Sequence, residues 1–414
     1  MKIALFTESF LSGDAPAADG TSLTVSAYAK YLTEHGHGVF IASPRSVKKG
    51  DGFPVLGRTA EGEYPLVSPY SRKLARQVRA FDPDVLHAHT PFLAATAALK
   101  LGKSLSVPVA LTLHSKYDMD IGRFAKSAFT RGRVHKLMLD NIRAADEVWL
   151  PSLAAADDLR RMGYSGGHIL VPHGTDFPVS DSDSEERSED VEVRTRFNIP
   201  HNVPVLLTVT RLLRHKNLEM LLDALDALRD RGQSFHALIV GGGPDRAELE
   251  DYATSRRLDG LTHFVGAMPD RAKLRALYDC CDLFVIPSRH ENGAHTLLAA
   301  AARGVAALTT EGSAASELIE PEVSGFVCAN SADGIAEGIA DALSDRRRLR
   351  KVSANARSRI YLSWDNAGTA IVRRYEALRR IHSSRLSEMA YAKKNGRRLN
   401  VSPAKLRETK ETID

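Results

Sequence analysis

Short runs of β-branched and aliphatic residues alternate with helical stretches along almost the whole chain of 414 residues. This alternation is typical of parallel β-sheets whose crossover helices cover both faces. It predicts an α/β fold with two Rossmann-like domains facing a cleft. The predicted strands are Lys2–Thr7, Val39–Ala42, Val85–Ala88, Val109–Thr112, Glu147–Leu150 and Ile169–Pro172 in the first half, and Val205–Thr210, Ala237–Gly241, Thr262–Val265, Leu283–Pro287, Ala306–Thr309 and Gly325–Cys328 in the second.

An acidic segment, SDSDSEERSED, separates the two rounds of alternation. Because it has almost nothing apolar to bury, we expect a linker or surface loop at 178–193. The N-terminal domain is then 1–177, and the C-terminal domain is 194–363. A helix at 364–384 is expected to cross back to the N-terminal domain, and the basic segment 385–414 is predicted to be a mobile tail.

Composition narrows the class of protein further. The three cysteines, Cys280, Cys281 and Cys328, cannot form a disulfide framework and lack the spacing of zinc ligands. The N-terminus reads as a first strand and not as a signal peptide, and no apolar run is long enough to span a membrane. We therefore expect a cytoplasmic protein. Its formal net charge of +5 suits a phosphate-bearing ligand or an anionic membrane surface, and no nucleic-acid-binding motif is present.

Three histidines follow neighbouring strands of the first domain. His87 and His89 lie at the end of Val85–Ala88, and His114 follows Val109–Thr112. Because parallel strands end at one edge of their sheet, the three imidazoles are expected to cluster there. A single histidine is more often structural, whereas a cluster at this edge favours a functional role.

Charged residues follow two strands of the second domain. Arg211 and Lys216 come directly after Val205–Thr210 and suit a diphosphate, one as a fork and the other as a point charge. Glu291 follows Leu283–Pro287 just before a helix, where a carboxylate can accept hydrogen bonds from sugar hydroxyls. A solvated basic turn and a simple helix-terminal charge remain the alternatives.

Taken in order, these segments resemble the retaining glycosyltransferases of family 4, which have the GT-B fold. The resemblance covers roughly residues 2–384. In the first half it rests on FTESF, DGTSLTV, LTEHGHGV, DVLHAHTPF, VALTLHSKYD and LVPHGTD. In the second half it rests on VTRLLRHKN, IVGGGP, HFVGAMPD and IPSRHENGAHTLLAAAARG.

The resemblance implies a nucleotide-sugar donor, UDP- or GDP-linked, and a role for each matching position. It makes 1–177 the acceptor domain and 194–363 the donor domain. Arg211 and Lys216 would hold the diphosphate and Glu291 the sugar hydroxyls, while His114 would lie beside the sugar and the reacting centre. Gly20 and the backbone at His295 and Thr296 would approach the phosphate, and the base would lie against 265–268. The donor-binding residues are thus Gly20, Val265, Gly266, Met268, His295 and Thr296.

The implied reaction transfers a hexosyl unit with retention to a lipid, lipid-linked or polysaccharide acceptor. Fixed cations would stabilise the leaving diphosphate, so neither a metal nor another cofactor is expected. TLHSKYD resembles the lipid-glycosylating members. Basic helices predicted around 124–144 and 71–81 could make the protein peripheral at the inner face of an anionic membrane, although solvated helix faces would look the same.

The sequence also departs from the family pattern. Where the family carries a second glutamate that holds the ribose hydroxyls, this chain has Ala299. One alternative is therefore a weak or inactive homologue that acts as a binding subunit, and another is an enzyme for a soluble small-molecule acceptor. A metal-dependent GT-A enzyme is disfavoured because Asp118-Met-Asp120 does not end a strand.

Overall fold

The computed structural model describes residues 1–9, 20–44, 55–58, 65–114, 117, 121–122, 125, 127–179, 188–288 and 295–394. It divides the chain into two units. The first unit comprises Met1–His173 together with Trp364–Asp414, and the second comprises Gly174–Ser363. The chain therefore passes from the first unit to the second after His173 and returns to the first unit after Ser363.

The first unit is built around six parallel strands in the order β2-β1-β5-β6-β7-β8. Alternate residues of β1 enter different clusters, with Ile3 and Leu5 on one face and Ala4 and Phe6 on the other. Helices thus cover both faces of the sheet. Its elements are β1 (Lys2–Phe6), α1 (Gly20–Glu34), β2 (Gly38–Ala42), β3 (Val55–Arg58), β4 (Pro65–Val67), α2 (Arg72–Phe81), β5 (Val85–Ala88), α3 (Leu93–Leu105), β6 (Val109–Thr112), α4 (Ala128–Ala144), β7 (Glu147–Leu150), α5 (Leu153–Arg161) and β8 (Ile169–Leu170).

The second unit repeats this plan with the order β11-β10-β9-β12-β13-β14, again all parallel. Leu206 and Leu207 of β9 point into opposite apolar clusters. Its elements are α6 (Ser188–Arg196), β9 (Val205–Val209), α7 (Leu218–Asp230), β10 (His236–Val240), α8 (Arg246–Ser255), β11 (Thr262–Gly266), α9 (Arg271–Asp279), β12 (Leu283–Ile286), α10 (His295–Ala302), β13 (Ala307–Thr310), β14 (Phe326–Cys328), α11 (Ala332–Ser344) and α12 (Arg346–Arg359).

The predicted linker at 178–193 is too long at its C-terminal end. Helix α6 begins at Ser188, inside it, and Val193 is 7% exposed in the core of the second unit. The buried guanidinium of Arg194 donates to the carbonyls of Pro200 and Val203, each at 3.1 Å. These contacts stabilise a helix that could not be predicted from the acidic composition of the segment in which it begins. Residues 180–187 lie outside the described residues.

A last helix, α13 (Trp364–Lys394), packs on the first unit. Ile371, Tyr375 and Leu378 are buried with residues of β1. The predicted tail from 385 is wrong as far as 394, because residues 385–394 continue this helix. Leu, Met, Ala, Glu and Lys sustain helix by intrinsic propensity even without a buried face. Residues 395–414 lie outside the described part of the chain.

In each sheet the strand order reverses at one point. Strand β9 lies between β10 and β12, and β1 lies between β2 and β5. Neighbouring loops at such a point leave to opposite faces of the sheet and open a crevice at the carboxyl ends of the strands, where α/β proteins bind ligands.

Candidate functional site

A pocket lies at the reversal point of the second sheet, where β9 and β12 end. It is a small depression with a cavity volume of about 10 Å³, and it opens to solvent. Lys216 is among the lining residues, and four of the others are serine or threonine. The lining residues are Thr208, Val209, Thr210, Lys216, Val285, Ile286, Pro287, Ser288 and Thr296.

The segment Arg211–Asn217, which we call the β9 loop, packs against the turn Gly241–Gly243, which we call the glycine turn. Leu212 N–H donates to the Gly242 carbonyl at 3.0 Å. A Cβ on Gly241 would lie 1.7 Å from the Thr210 carbonyl oxygen, and one on Gly243 would lie 2.1 Å from that of Leu212. Only glycine allows this approach. The turn thus positions the loop that carries Lys216.

The β9 loop is also joined to the end of β12. Asn217 adopts a left-handed conformation with φ of 56°, which asparagine tolerates better than most residues. Its Nδ2 donates to the Pro287 carbonyl at 3.1 Å, and Ser288 Oγ donates to the His215 carbonyl at 3.4 Å. Sequence reasoning gave Asn217 and Ser288 no role. The signal for Asn217 is its place between a basic turn and a helix.

The sequence-predicted donor residues of this unit divide by position. Lys216, half-buried at the end of a 3-10 turn, and Thr296, in the first turn of α10, line the pocket. Arg211 is exposed on the β9 loop and is not among the described lining residues, while His295 begins α10. Glu291 lies outside the described residues.

The residues that are predicted to contact the base lie at the C-terminal end of strand β11 or just after it. Gly266 has φ of +89°, and its carbonyl accepts from the Gly241 N–H at 2.9 Å, which ties the strand end to the glycine turn. Val265 and Met268 are half-buried against the apolar cluster of the second unit. Ala299, where the family has a second glutamate, is 4% exposed in that same cluster.

In the first unit, four imidazoles lie in a row at the carboxyl ends of the strands. Ring centroids are 4.0 Å apart for His87 and His89, 5.2 Å for His89 and His114, and 5.1 Å for His114 and His173. We call these four residues the imidazole row. His173 lies in the quoted LVPHGTD segment, but sequence reasoning did not select it, because it follows the edge strand β8.

The imidazole row is held by hydrogen bonds from several elements. His87 Nδ1 lies 2.5 Å from Tyr375 Oη, and its Nε2 lies 2.7 Å from Thr112 Oγ1. His89 Nδ1 lies 3.0 Å from His114 Nε2. Burial, which disfavours the charged ring, lowers the pKa of His87 and His89 well below the usual value. Both rings are therefore neutral at neutral pH.

A carboxyl group that sequence reasoning missed lies close to the end of β1. Glu8 is 4% exposed, and its Oε1 accepts from the N–H groups of Leu93 and Ala94 at 2.7 and 3.2 Å. It thereby caps α3, whose own N-cap residue makes no side-chain bond. Burial raises the pKa of Glu8 to about 7. Its signal in the sequence is an acid two residues after a strand whose last four residues are apolar.

Gly20, predicted to approach the donor phosphate, is the first residue of α1 and is exposed. Its carbonyl accepts from Thr24 Oγ1 at 2.8 Å, within the first turn of the helix. Within the described ranges, no group of three or more His, Cys, Asp or Glu side chains is arranged to hold a metal ion. No helix in the same ranges is long and apolar enough to cross a membrane.

Two family models match the chain. The model of "Glycosyltransferase Family 4" matches residues 18–177, and that of "Glycosyl transferases group 1" matches residues 190–359. Each falls on one of the two Rossmann-like sheets. The chain belongs to this family of glycosyltransferases, and its fold is GT-B.

Individual relatives agree with this assignment. The chain is 26% identical over 407 residues to a GDP-mannose-dependent alpha-mannosyltransferase of Mycolicibacterium smegmatis, covering 91% of this chain and 98% of that one. It is 21% identical to an alpha-monoglucosyldiacylglycerol synthase of Streptococcus pneumoniae, covering 73% and 70%. The crystal structure of Anabaena Alr3699/HepE in complex with UDP and glucose has a TM-score of 0.67 at 18% identity, covering 90% and 99%.

Proposed function

We propose that this glycosyltransferase moves a hexosyl unit from a UDP- or GDP-linked sugar to a hydroxyl acceptor with retention of configuration. The observation that carries the proposal is the pocket at the ends of β9 and β12, which is lined by Lys216 and by Thr296 in the first turn of α10. An ammonium group and the N–H groups of a helix N-terminus both favour a phosphate. The unit formed by 174–363 is thus the proposed donor domain, and the first unit the acceptor domain.

In the proposed reaction the bond between the anomeric carbon and the acceptor oxygen forms on the face from which the diphosphate departs. The acceptor proton passes to the departing diphosphate. Lys216 and Arg211 stabilise the charge that develops there, so that fixed cations replace a metal ion. The β9 loop is well suited to this role because hydrogen bonds to the glycine turn and to β12 fix its backbone in advance.

The remaining roles follow the family pattern residue by residue. Glu291 and His114 contact the donor sugar, and Gly20 approaches its phosphate. The backbone at 295–296 meets the phosphate as well, while 265–268 contact the base. Because the buried position of Ala299 carries no carboxylate, we propose that the ribose hydroxyls are bound by other groups.

The proposed acceptor is a lipid, a lipid-linked saccharide or a polysaccharide. The relative named as a glucosyldiacylglycerol synthase supports a lipid. Helix α4 exposes Phe129 at 73%, with the Arg133 guanidinium 5.6 Å from its ring centre. An exposed aromatic ring with basic neighbours suits an anionic bilayer surface. We therefore propose peripheral contact with the inner face of the cytoplasmic membrane.

A titration tests the donor site. Lys216→Ala should weaken binding of UDP- or GDP-hexose by about tenfold or more, because a charge-assisted phosphate contact contributes roughly 1.5–3 kcal/mol. The matched control is Lys351→Ala, which removes an exposed lysine of α12 and should bind like the parent. Calorimetry on the full chain measures both. If the parent binds no nucleotide sugar at millimolar concentration, the protein is instead an inactive homologue and the proposal fails.

A further inference from the structure

We propose that Asn141 of α4 is a positioning residue, which fixes the loop between β5 and α3 and, through this loop, the place of His114. The loop comprises His89–Phe92, and we call it the β5 loop. The meaning of the proposal for catalysis rests on the proposed function, in which His114 contacts the donor sugar. The contacts that carry it all lie inside the first unit.

Asn141 is a polar residue on a buried, otherwise apolar part of its helix. Met138 and Ile142 of the same helix are 0% exposed in the core of the first unit, and Asn141 itself is 6% exposed. A buried amide costs free energy unless its hydrogen-bonding groups are satisfied. An asparagine at this position therefore needs partners, and two of these partners are backbone carbonyls of the β5 loop.

The side-chain amide of Asn141 binds the β5 loop through its nitrogen. Nδ2 donates to the carbonyls of Phe92 at 2.7 Å and of Pro91 at 2.9 Å, and it lies 3.0 Å from Thr96 Oγ1. Only the donor end of the amide can face two carbonyl oxygens, so these two contacts fix its orientation. Its two hydrogens match the two carbonyls. One side chain of α4 thus holds the part of the β5 loop that leads into α3.

The first strand and the residues that follow it hold the two ends of the β5 loop. The His89 N–H donates to the Phe6 carbonyl at 2.8 Å, and Glu8 Oε1 accepts from the Leu93 N–H at 2.7 Å. These bonds fix the beginning of the loop and the residue directly after it. The carbonyls that Asn141 binds lie between these two points, so its contribution is additional to theirs.

The β5 loop is linked to His114 at two points. His89 Nδ1 lies 3.0 Å from His114 Nε2. The Phe92 ring contacts the Tyr117 ring edge-on, with 5.5 Å between the ring centres, and Tyr117 Oη accepts from the backbone N–H of His114 at 3.2 Å. A shift of the loop would therefore move both the ring and the backbone of His114. A displacement of about 1 Å can cost about a hundredfold in rate when it misplaces reacting groups.

Hydrogen exchange of the full-length protein labelled with ¹⁵N-histidine tests the inference without any substrate. The His114 amide is compared with the His87 amide, which lies in the central strand β5 and reports unfolding of the whole unit. The two signals are assigned by their loss in His114→Gln and His87→Gln. Asn141→Leu removes both bonds to the loop carbonyls and should accelerate exchange at His114 about tenfold or more relative to His87. Thr96→Val is the matched control, because it removes a hydroxyl from the same contact but leaves both carbonyl bonds, and it should keep this ratio within about threefold.

Transfer kinetics measure the consequence for the reaction. Asn141→Leu should lower kcat for hexosyl transfer about tenfold or more, because His114 is misplaced in the transition state. KM for the nucleotide sugar should stay within about threefold, because the phosphate contacts proposed for Lys216 and Arg211 lie in the second unit. Thr96→Val should keep both constants within about threefold of the parent.

An unchanged exchange ratio in Asn141→Leu, an equal change in Thr96→Val, or a changed ratio with unaltered kcat would overturn the inference. If Asn141→Leu does not fold, Phe92→Leu decides. It leaves the bonds of Asn141 in place, removes the ring contact with Tyr117 and should raise the same ratio, and an unchanged ratio there would equally overturn the inference. A parent that transfers no sugar, with the exchange ratio changed as expected, would refute the proposed function and leave the positioning of His114 standing.

Discussion

Glu8 should make the first unit less stable as the pH rises. Its pKa is about 7 in the folded chain and 4.5 as a free side chain, so the folded state binds more protons between these values. The contribution of protonated Glu8 to the free energy of unfolding is then fully present below pH 4.5 and is lost as the pH rises through 7. The two pKa values differ by 2.5 units, and each unit corresponds to about 1.36 kcal/mol. The upper limit of this contribution is therefore about 3 kcal/mol. Glu8→Gln keeps an oxygen for the Leu93 and Ala94 N–H groups but cannot ionise.

The assay is urea unfolding followed by tryptophan fluorescence from pH 4.5 to 8.5. Both tryptophans of the chain, Trp149 and Trp364, belong to the first unit, so the signal reports the unit that contains Glu8. Glu8→Gln should match the parent near pH 4.5 and exceed its stability by up to about 3 kcal/mol near pH 8. The exposed Glu34→Gln is the control. Equal pH dependence in Glu8→Gln and the parent would refute the reasoning.

Two further predictions concern packing around the two candidate sites. Gly243→Ala places a Cβ 2.1 Å from the Leu212 carbonyl and should weaken nucleotide-sugar binding at least tenfold by shifting the β9 loop, whereas Gly242→Ala, whose nearest contact is 3.4 Å, should bind normally in calorimetry. Tyr375→Phe removes the hydroxyl that pairs with His87 and should cost the first unit about 1–3 kcal/mol of unfolding free energy in the tryptophan assay. Unchanged stability would mean that this hydrogen bond does not hold the imidazole row.

The central strands could be predicted from the sequence to the residue. Val85–Ala88, Val109–Thr112 and Glu147–Leu150 have the predicted bounds, because strands buried on both faces are rich in apolar residues. The hairpin that begins at Val55 was missed, since its strands are short and interrupted by glycine and charge. Helix α12 was missed because its many arginines mask the apolar spacing, although Asp345 caps it by accepting from two N–H groups.

The candidate sites show the same difference between features that the local sequence reveals and contacts between distant residues, which it does not. The position of Lys216 near the end of β9 could be predicted because both the strand and the basic segment that follows it can be recognised in the sequence. The partners of His87 could not, because Tyr375 is 288 residues away and nothing local marks the pair. Glu8 was missed for the same reason, since the N–H groups it caps come from a helix that starts 85 residues later.

Product analysis tests the central claim most directly. The full-length protein is incubated with a panel of UDP- and GDP-hexoses and a lipid extract, and the products are analysed by mass spectrometry. We predict a product heavier by one hexose residue, formed by the parent and by Lys351→Ala and reduced at least tenfold in Lys216→Ala. Absence of any hexosylated product across the panel, or full activity in Lys216→Ala, would contradict the account.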